Sequence, residues 1–213
     1  MKAIFFLLPL FALAACKEAG DGNEINPRSI EYNNRVVEIM QRFIHEGIPD
    51  TTKLAQAETT ADTARILFRD IVDSCQTLLD SAVMYSPQYY LYYAQKARFY
   101  IYCLDYENAY IWALKALEKK NLPELRIGAG MFLQRMGKEQ EAEAHYERAI
   151  DQYQTLDTLS QADLMNYTLA LALTRQKEKA RRTIDSLVKD TLLKRHLLLM
   201  TENPQEVIDA TIP

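Results

Sequence analysis

The sequence predicts an all-α protein, and three observations predict it. Apolar residues recur three or four apart through most of the chain. Over 64–83, Ala64, Leu67, Phe68, Ile71, Cys75, Leu78, Leu79 and Ala82 fall on one helical face. No stretch sustains an apolar–polar alternation, and Asp21-Gly22 is the only Asn-Gly or Asp-Gly pair, far from any candidate hairpin. Composition agrees: 6 Gly and 7 Pro in 213 residues are too few for a turn-rich β-sandwich, while 48% apolar and 25% charged residues suit an ordinary globular chain.

Helices are expected near 28–46, 60–84, 87–103, 106–119, 123–136, 139–153, 160–175, 177–188 and 190–201, with a further turn at 204–210. Their starts are marked. Asn26-Pro27, Ser86-Pro87 and Asn203-Pro204 each place a capping side chain before a proline, whose fixed φ suits the first helical position. Ser160 with Asp163 three residues on forms a capping box. Gly47 followed by Pro49 is a stop, and 48–59 stays ambiguous. The connections are short, so neighbouring helices pack antiparallel.

Small residues recur at a fixed spacing. Ala97, Ala109 and Ala116 are twelve and seven apart; Gly130, Ala142 and Ala149 repeat this, as do Thr168, Ala180 and Leu187, and more weakly Thr63, Cys75 and Ala82. Successive copies are offset by 34, 33 and 38 residues. Two helices approach closely only where both carry a small side chain, which accounts for one such residue mid-way along each first helix and two along each second. The pattern resembles the tetratricopeptide repeat, a helix–turn–helix unit of about 34 residues. DYENAYIWALKALE (105–118) and GKEQEAEAHYERAI (137–150) are the closest matches, and AVMYSP (82–87) resembles the Pro-terminated exit of a repeat. Lys96 and Ala129 depart from it, standing where a large apolar residue is usual; so do Arg126, in place of an aromatic, and Arg175, in place of glycine. The resemblance implies a tetratricopeptide-like α-solenoid of antiparallel helix pairs. An array must cover its ends, so the amphipathic 190–201 segment, with Leu192, Leu193, Leu197 and Met200 on one side, reads as a C-terminal capping helix, a dimer contact being the alternative.

Residues 1–16, MKAIFFLLPLFALAAC, carry one positive charge, an apolar run and then small residues, the layout of a secretory signal peptide. Leu13-Ala14-Ala15-Cys16 resembles the lipobox of bacterial lipoproteins. That resemblance implies cleavage before Cys16 and acylation of its sulfur and amine, and two or three acyl chains hold a protein on a bilayer stably. The expected organisation is therefore a lipoprotein signal peptide at 1–15, lipidated Cys16 and a flexible tether at 16–27, the repeat domain at 28–201 and a C-terminal tail at 202–213. Lys17-Glu18 lacks the aspartate that can retain lipoproteins in the inner membrane. An outer-membrane location, on the periplasmic face or the cell surface, is the expectation.

Charge is unevenly spread: 17–84 has 7 basic and 12 acidic residues, 85–136 has 7 and 4, and 137–213 has 10 and 13. The formal net charge of −4 gives no nucleic-acid footprint. Five of the eight residues in RQKEKARR (175–182) are basic, which reads as a solvated turn and helix start. Three histidines, His45, His145 and His196, show no metal-ligand spacing, and no nucleophile, P-loop or dinucleotide motif occurs. No enzyme, metal or cofactor is expected. Cys75 and Cys103 remain after lipidation and read as buried core thiols, a disulfide between them being the alternative in an oxidising envelope. Nine of 13 tyrosines crowd into 85–110: Tyr85, Tyr89, Tyr90, Tyr92, Tyr93, Tyr100, Tyr102, Tyr106 and Tyr110. They divide between packing and an aromatic recognition surface.

By the resemblance, first helices line a concave trough. Two equivalent positions follow it, one carrying Arg98, Met131 and Leu169 and the other Tyr102, Arg135 and Leu173. This mix suits a protein or peptide segment. The expected function is that of a membrane-anchored protein-binding or scaffolding module in a bacterial cell-envelope assembly. The alternative is a glycan- or nutrient-handling accessory using the tyrosine-rich surface.

Overall fold

A computed structural model describes residues 25–46 and 60–212, with side chains described through 42 and from 68 onward. Among the described residues there are ten α-helices and no strand. They are α1 (Pro27–Glu46), α2 (Thr60–Tyr85), α3 (Tyr90–Tyr102), α4 (Tyr106–Lys119), α5 (Pro123–Arg135), α6 (Glu139–Gln154), α7 (Gln161–Leu173), α8 (Lys177–Leu187), α9 (Thr191–Glu202) and α10 (Pro204–Thr211). The chain divides into two compact units, within Cys16–Lys120 and Asn121–Pro213.

In the N-terminal unit α1 packs on α2, α2 on α3, and α3 on α4. Its core gathers Val36, Val72, Cys75, Leu79, Ala82, Tyr92 and Phe99, with Tyr32, Phe68 and Tyr102 packed against it. Each fully buried aliphatic side chain is worth roughly 1.5–3 kcal/mol of transfer free energy. One expectation changes here. Ser86 does not cap a helix beginning at Pro87. Its hydroxyl accepts from the Asn26 amide at 3.0 Å and bonds the Ser29 hydroxyl at 2.8 Å, so it secures the start of α1. Tyr89 N–H then donates to the Ser86 carbonyl at 3.1 Å, closing a turn with Pro87 in its second position, and α3 begins only at Tyr90.

In the C-terminal unit each helix from α5 to α9 packs on the next, α5 and α9 also meet α7, and α10 lies against α7 and α9. α5 and α7 are buried on nearly every side, as central helices must be. Ser160 and Asp163 make the expected capping box at the start of α7. Asn203, also expected to cap, makes no side-chain cap bond, and α10 starts on Pro204 alone.

The hairpins α3–α4, α5–α6 and α7–α8 share one turn. Leu104, Gly137 and Arg175 have positive φ, at 54°, 72° and 61°. In each case the next amide reaches back five residues: Asp105 to the Tyr100 carbonyl at 3.0 Å, Lys138 to Leu133 at 2.9 Å and Gln176 to Leu171 at 2.7 Å. The positive-φ residue itself donates to Ile101, Gln134 or Ala172 at 2.9, 3.0 and 3.2 Å. This pair of bonds is the Schellman motif, which satisfies carbonyls that a helix end would leave bare. The three turns are 33 and 38 residues apart, the same offsets as the buried Ala109, Ala142 and Ala180 that follow each by five.

The small residues sit where helices touch. Ala97, Ala109, Ala116, Ala142, Ala149, Thr168 and Ala180 are all at most 3% exposed. A Cβ on Gly130 would lie 2.9 Å from Cδ1 and Cζ of the Tyr146 ring and closer still to Cε1, so only glycine fits. Cys75 and Ala82 are buried likewise, whereas Leu187 departs from the pattern at 56% exposure. Thr63 lies outside the described side chains.

Candidate functional site

Of the six residues expected to line a trough, two lie in the N-terminal unit and four in the C-terminal unit. In the N-terminal unit Arg98 and Tyr102 are half-buried on α3. The Tyr102 ring leans on Phe68 and Phe99, at centroid separations of 5.7 and 6.0 Å. In the C-terminal unit Met131 is 2% exposed and Leu169 0%, so both are packed inside and present no surface to a partner. Leu173 is half-buried at the end of α7. Arg135 is held by this chain's own C-terminus: its Nε donates to the Ile212 carbonyl at 2.5 Å and a terminal nitrogen pairs with Asp209 at 3.0 Å. Gln134 Nε2 donates to Gln205 Oε1 at 2.7 Å beside it. Val207, Ile208 and Ile212 bury the apolar side of this segment, so residues 204–211 form an anchored helix.

The tyrosine-rich segment divides as the residues dictate. Tyr92 is 2% exposed and donates to Ser29 Oγ at 3.0 Å; Tyr93 is 7% exposed and donates to the Pro87 carbonyl at 2.8 Å. Burial, with Glu118 nearby, pushes the Tyr93 hydroxyl above its ordinary range. Tyr89 packs edge-on against Tyr90 and Tyr92, and Tyr85 stacks on Tyr32 at 5.9 Å.

A different constellation emerges along α3 and α4. Lys96, where an apolar residue was expected, is buried with its ammonium between Asp80 and the Trp112 ring, 4.2 Å from the ring centroid. Lysine serves as a core residue here because its stem is apolar and its head finds a carboxylate and a π face. Lys115 covers Trp112 at 3.8 Å, Lys119 covers Tyr93 at 5.6 Å, and Lys120 covers Tyr90 at 5.4 Å. Among the described residues, Lys115 and Lys119 have no carboxylate within ion-pair distance. This ladder was missed in sequence. Its signal is the spacing of Trp112, Lys115 and Lys119, which puts all three on one face of α4.

The remaining candidates have structural partners. In the basic cluster, Arg181 binds Glu202 through Nε at 2.9 Å and Nη2 at 2.5 Å, and Lys177 Nζ donates to the Glu202 carbonyl at 2.7 Å. The cluster thus fastens α8 to the end of α9. Arg126, in the aromatic's place, donates to Gln152 Oε1 at 3.1 Å, and Gln152 donates to the Asn121 carbonyl at 3.0 Å. Burial lowers the His145 pKa, with the Arg126 and Arg148 charges acting the same way against Glu141. His196 is exposed on α9, and the His45 side chain lies outside those described. Among the described residues no three His, Cys, Asp or Glu are placed to hold a metal. No disulfide joins Cys75 and Cys103, and burial pushes the Cys75 thiol up to about 12.

Cys16 and residues 1–15 lie outside the described residues. No helix among those described is long and apolar enough to cross a membrane. No protein-family model matches the chain, and no curated protein is significantly similar to it.

Proposed function

We propose that this chain is a tetratricopeptide-like repeat lipoprotein, tethered through Cys16 to the outer membrane, that binds a protein segment within an envelope assembly. The observation that carries the reading is the shared turn at Leu104, Gly137 and Arg175 with a buried alanine five residues after each. Recurrence of one helix-hairpin unit at this period is what an α-solenoid requires, and such arrays bind extended partners along their first helices. α9 and α10, packed on the last hairpin, act as the cap that a terminal repeat needs. Arg135 is already engaged by the end of α10 through a carbonyl and a carboxylate, so the reading leaves it to the scaffold. With Met131 and Leu169 buried and Arg135 held by Ile212 and Asp209, the partner-facing residues are Arg98 and Tyr102 in the N-terminal unit, and in the C-terminal unit Leu173 alone remains of its four.

A photo-crosslinking residue at Tyr102, introduced in the native envelope, tests this. A discrete protein adduct is expected, lost on Arg98→Glu while circular dichroism stays helical. No adduct, or one indifferent to Arg98→Glu, overturns the reading. Arg98 is the better probe because Arg135→Glu also releases α10.

A further inference from the structure

We propose that the aromatic–lysine face of α3 and α4 docks on an anionic phospholipid bilayer. The inference rests on the lipid-anchor reading for its setting and goes beyond it in assigning a second, non-covalent contact.

Half-buried Tyr90 and Trp112 each carry a lysine ammonium over the ring, Lys120 and Lys115, and Lys119 lies between them over the buried Tyr93, whose ring supports its position from below. Such pairs match the boundary zone of a bilayer, where an amphipathic ring sits at headgroup depth and an ammonium meets phosphate. The buried Lys96 is already matched by Asp80 and belongs to the scaffold. Glu118 and Glu107 are exposed on α4, and Glu118 bears on the Tyr93 hydroxyl; neither pairs with Lys115 or Lys119. Residues 85–120, which hold α3 and α4, carry five basic residues against three acidic ones in an otherwise acidic chain, so the charge suits an anionic surface.

The path of the chain favours a membrane over an acidic protein as occupant. The N-terminal segment enters the unit at Asn26, whose amide donates to Ser86 Oγ, and Arg28 donates to Tyr85 Oη at 3.1 Å. Ser86 opens the turn from which α3 starts at Tyr90, the ring under Lys120. The Cys16 anchor point therefore feeds into the same end of the unit as the face. Ten residues separate Cys16 from Asn26, a span of at most about 35 Å however extended. An acylated Cys16 keeps Asn26, where the chain enters this unit, within that reach of phospholipid at all times, so weak contacts at the face suffice. Sugar stacking is disfavoured, because these ring faces are already covered by ammonium groups.

Trp112 is the chain's single tryptophan, so its emission reports on the face alone. The full chain purified from membranes is reconstituted with brominated-acyl vesicles, either pure phosphatidylcholine or phosphatidylcholine with one-third phosphatidylglycerol. Flotation on pure phosphatidylcholine tests the anchor. Stronger quenching of Trp112 in the anionic vesicles tests the face. Flotation on both, with quenching greater on phosphatidylglycerol and abolished by high salt, is expected. Lys119→Glu with Lys120→Glu leaves the Trp112–Lys115 pair in place and should remove the excess quenching while flotation persists. The milder Lys119→Gln with Lys120→Gln should weaken docking roughly twenty-fivefold, at about fivefold per lysine, and serves if the reversal misfolds. Equal quenching on both vesicles, or excess quenching that survives the charge reversal, overturns the proposal. Protection of Trp112 by polyglutamate but not by anionic vesicles does so too, in favour of a protein partner. Failure to float on phosphatidylcholine overturns the anchor instead, and quenching on phosphatidylglycerol then decides the face by itself.

Discussion

The α3–α4 hairpin of the N-terminal unit and the α5–α6 hairpin of the C-terminal unit are the same backbone object finished in opposite ways. Both close through a Schellman turn, at Leu104 and Gly137, and both set a buried alanine five residues on. In α5–α6 the first helix thins to Gly130 so that the Tyr146 ring can lie against its backbone, with Tyr146 Oη donating to Gln134 at 3.0 Å. In α3–α4 the equivalent residue is Ala97, and its neighbour Lys96 carries a charge into the core under Trp112. A close helix approach at fixed spacing settles the fold; the side chains around it are then free to be apolar, aromatic or cationic. Function follows that second choice.

The largest expected difference between the hairpins lies at the glycine. Gly130→Ala should cost about 2–3 kcal/mol, because the added Cβ meets a packed ring that has nowhere to go. Ala97→Gly removes a methyl instead and should cost only about 1 kcal/mol. Urea unfolding gives the magnitudes, and hydrogen exchange should confine the Gly130→Ala loss to α5 and α6. Equal losses would mean that the two hairpins pack alike.

Next is the buried cation. Asp80→Asn strands the Lys96 ammonium and should cost about 1–2 kcal/mol, discounted because Asp80 itself is largely exposed. Lys96→Met replaces the buried cation with an apolar side chain of similar reach and should be near neutral. A larger loss for Lys96→Met than for Asp80→Asn would contradict the assigned geometry.

The turns offer a smaller and cleaner contrast. Gly137 has open space where a Cβ would go, so Gly137→Ala should cost only its backbone strain, about 1 kcal/mol. Arg175→Gly relieves the same strain and should gain up to about 0.5 kcal/mol after glycine's greater unfolded freedom is subtracted. Thermal midpoints should shift in opposite directions.

The thiols give the smallest effect. Burial raises the Cys75 pKa from 9.0 to about 12, so folding keeps that proton where the unfolded chain would release it. The resulting stability is full below pH 9 and is lost as pH rises toward 12. At pH 8 a thiol reagent should label half-buried Cys103 faster than Cys75. Protein from membranes, once unfolded, should titrate two thiols if Cys16 is a thioether and three if it is not.

The helices were legible because period, caps and small-residue spacing are local signals. Boundaries failed where a side chain chose a distant partner: Ser86 serves Asn26 and Ser29, sixty and fifty-seven residues away, and so leaves Pro87 outside α3. The candidate site was less legible for the same reason. Met131 and Leu169 look like any first-helix positions, and only packing shows them closed. The grip of Arg135 on Ile212 joins residues 77 apart, beyond any sequence window. Lys96 read as a departure from the pattern, yet Asp80, sixteen residues upstream, makes it a core residue.

The most direct measurement is the backbone torsion at Leu104, Gly137 and Arg175 in uniformly labelled protein, from NMR chemical shifts and scalar couplings. Positive φ at all three, with slowly exchanging amides at Asp105, Lys138 and Gln176, is expected of three hairpins closed by one turn. Helical or extended φ at Leu104 or Arg175 would mean that the hairpins share no common turn, and the repeat reading would fall with it.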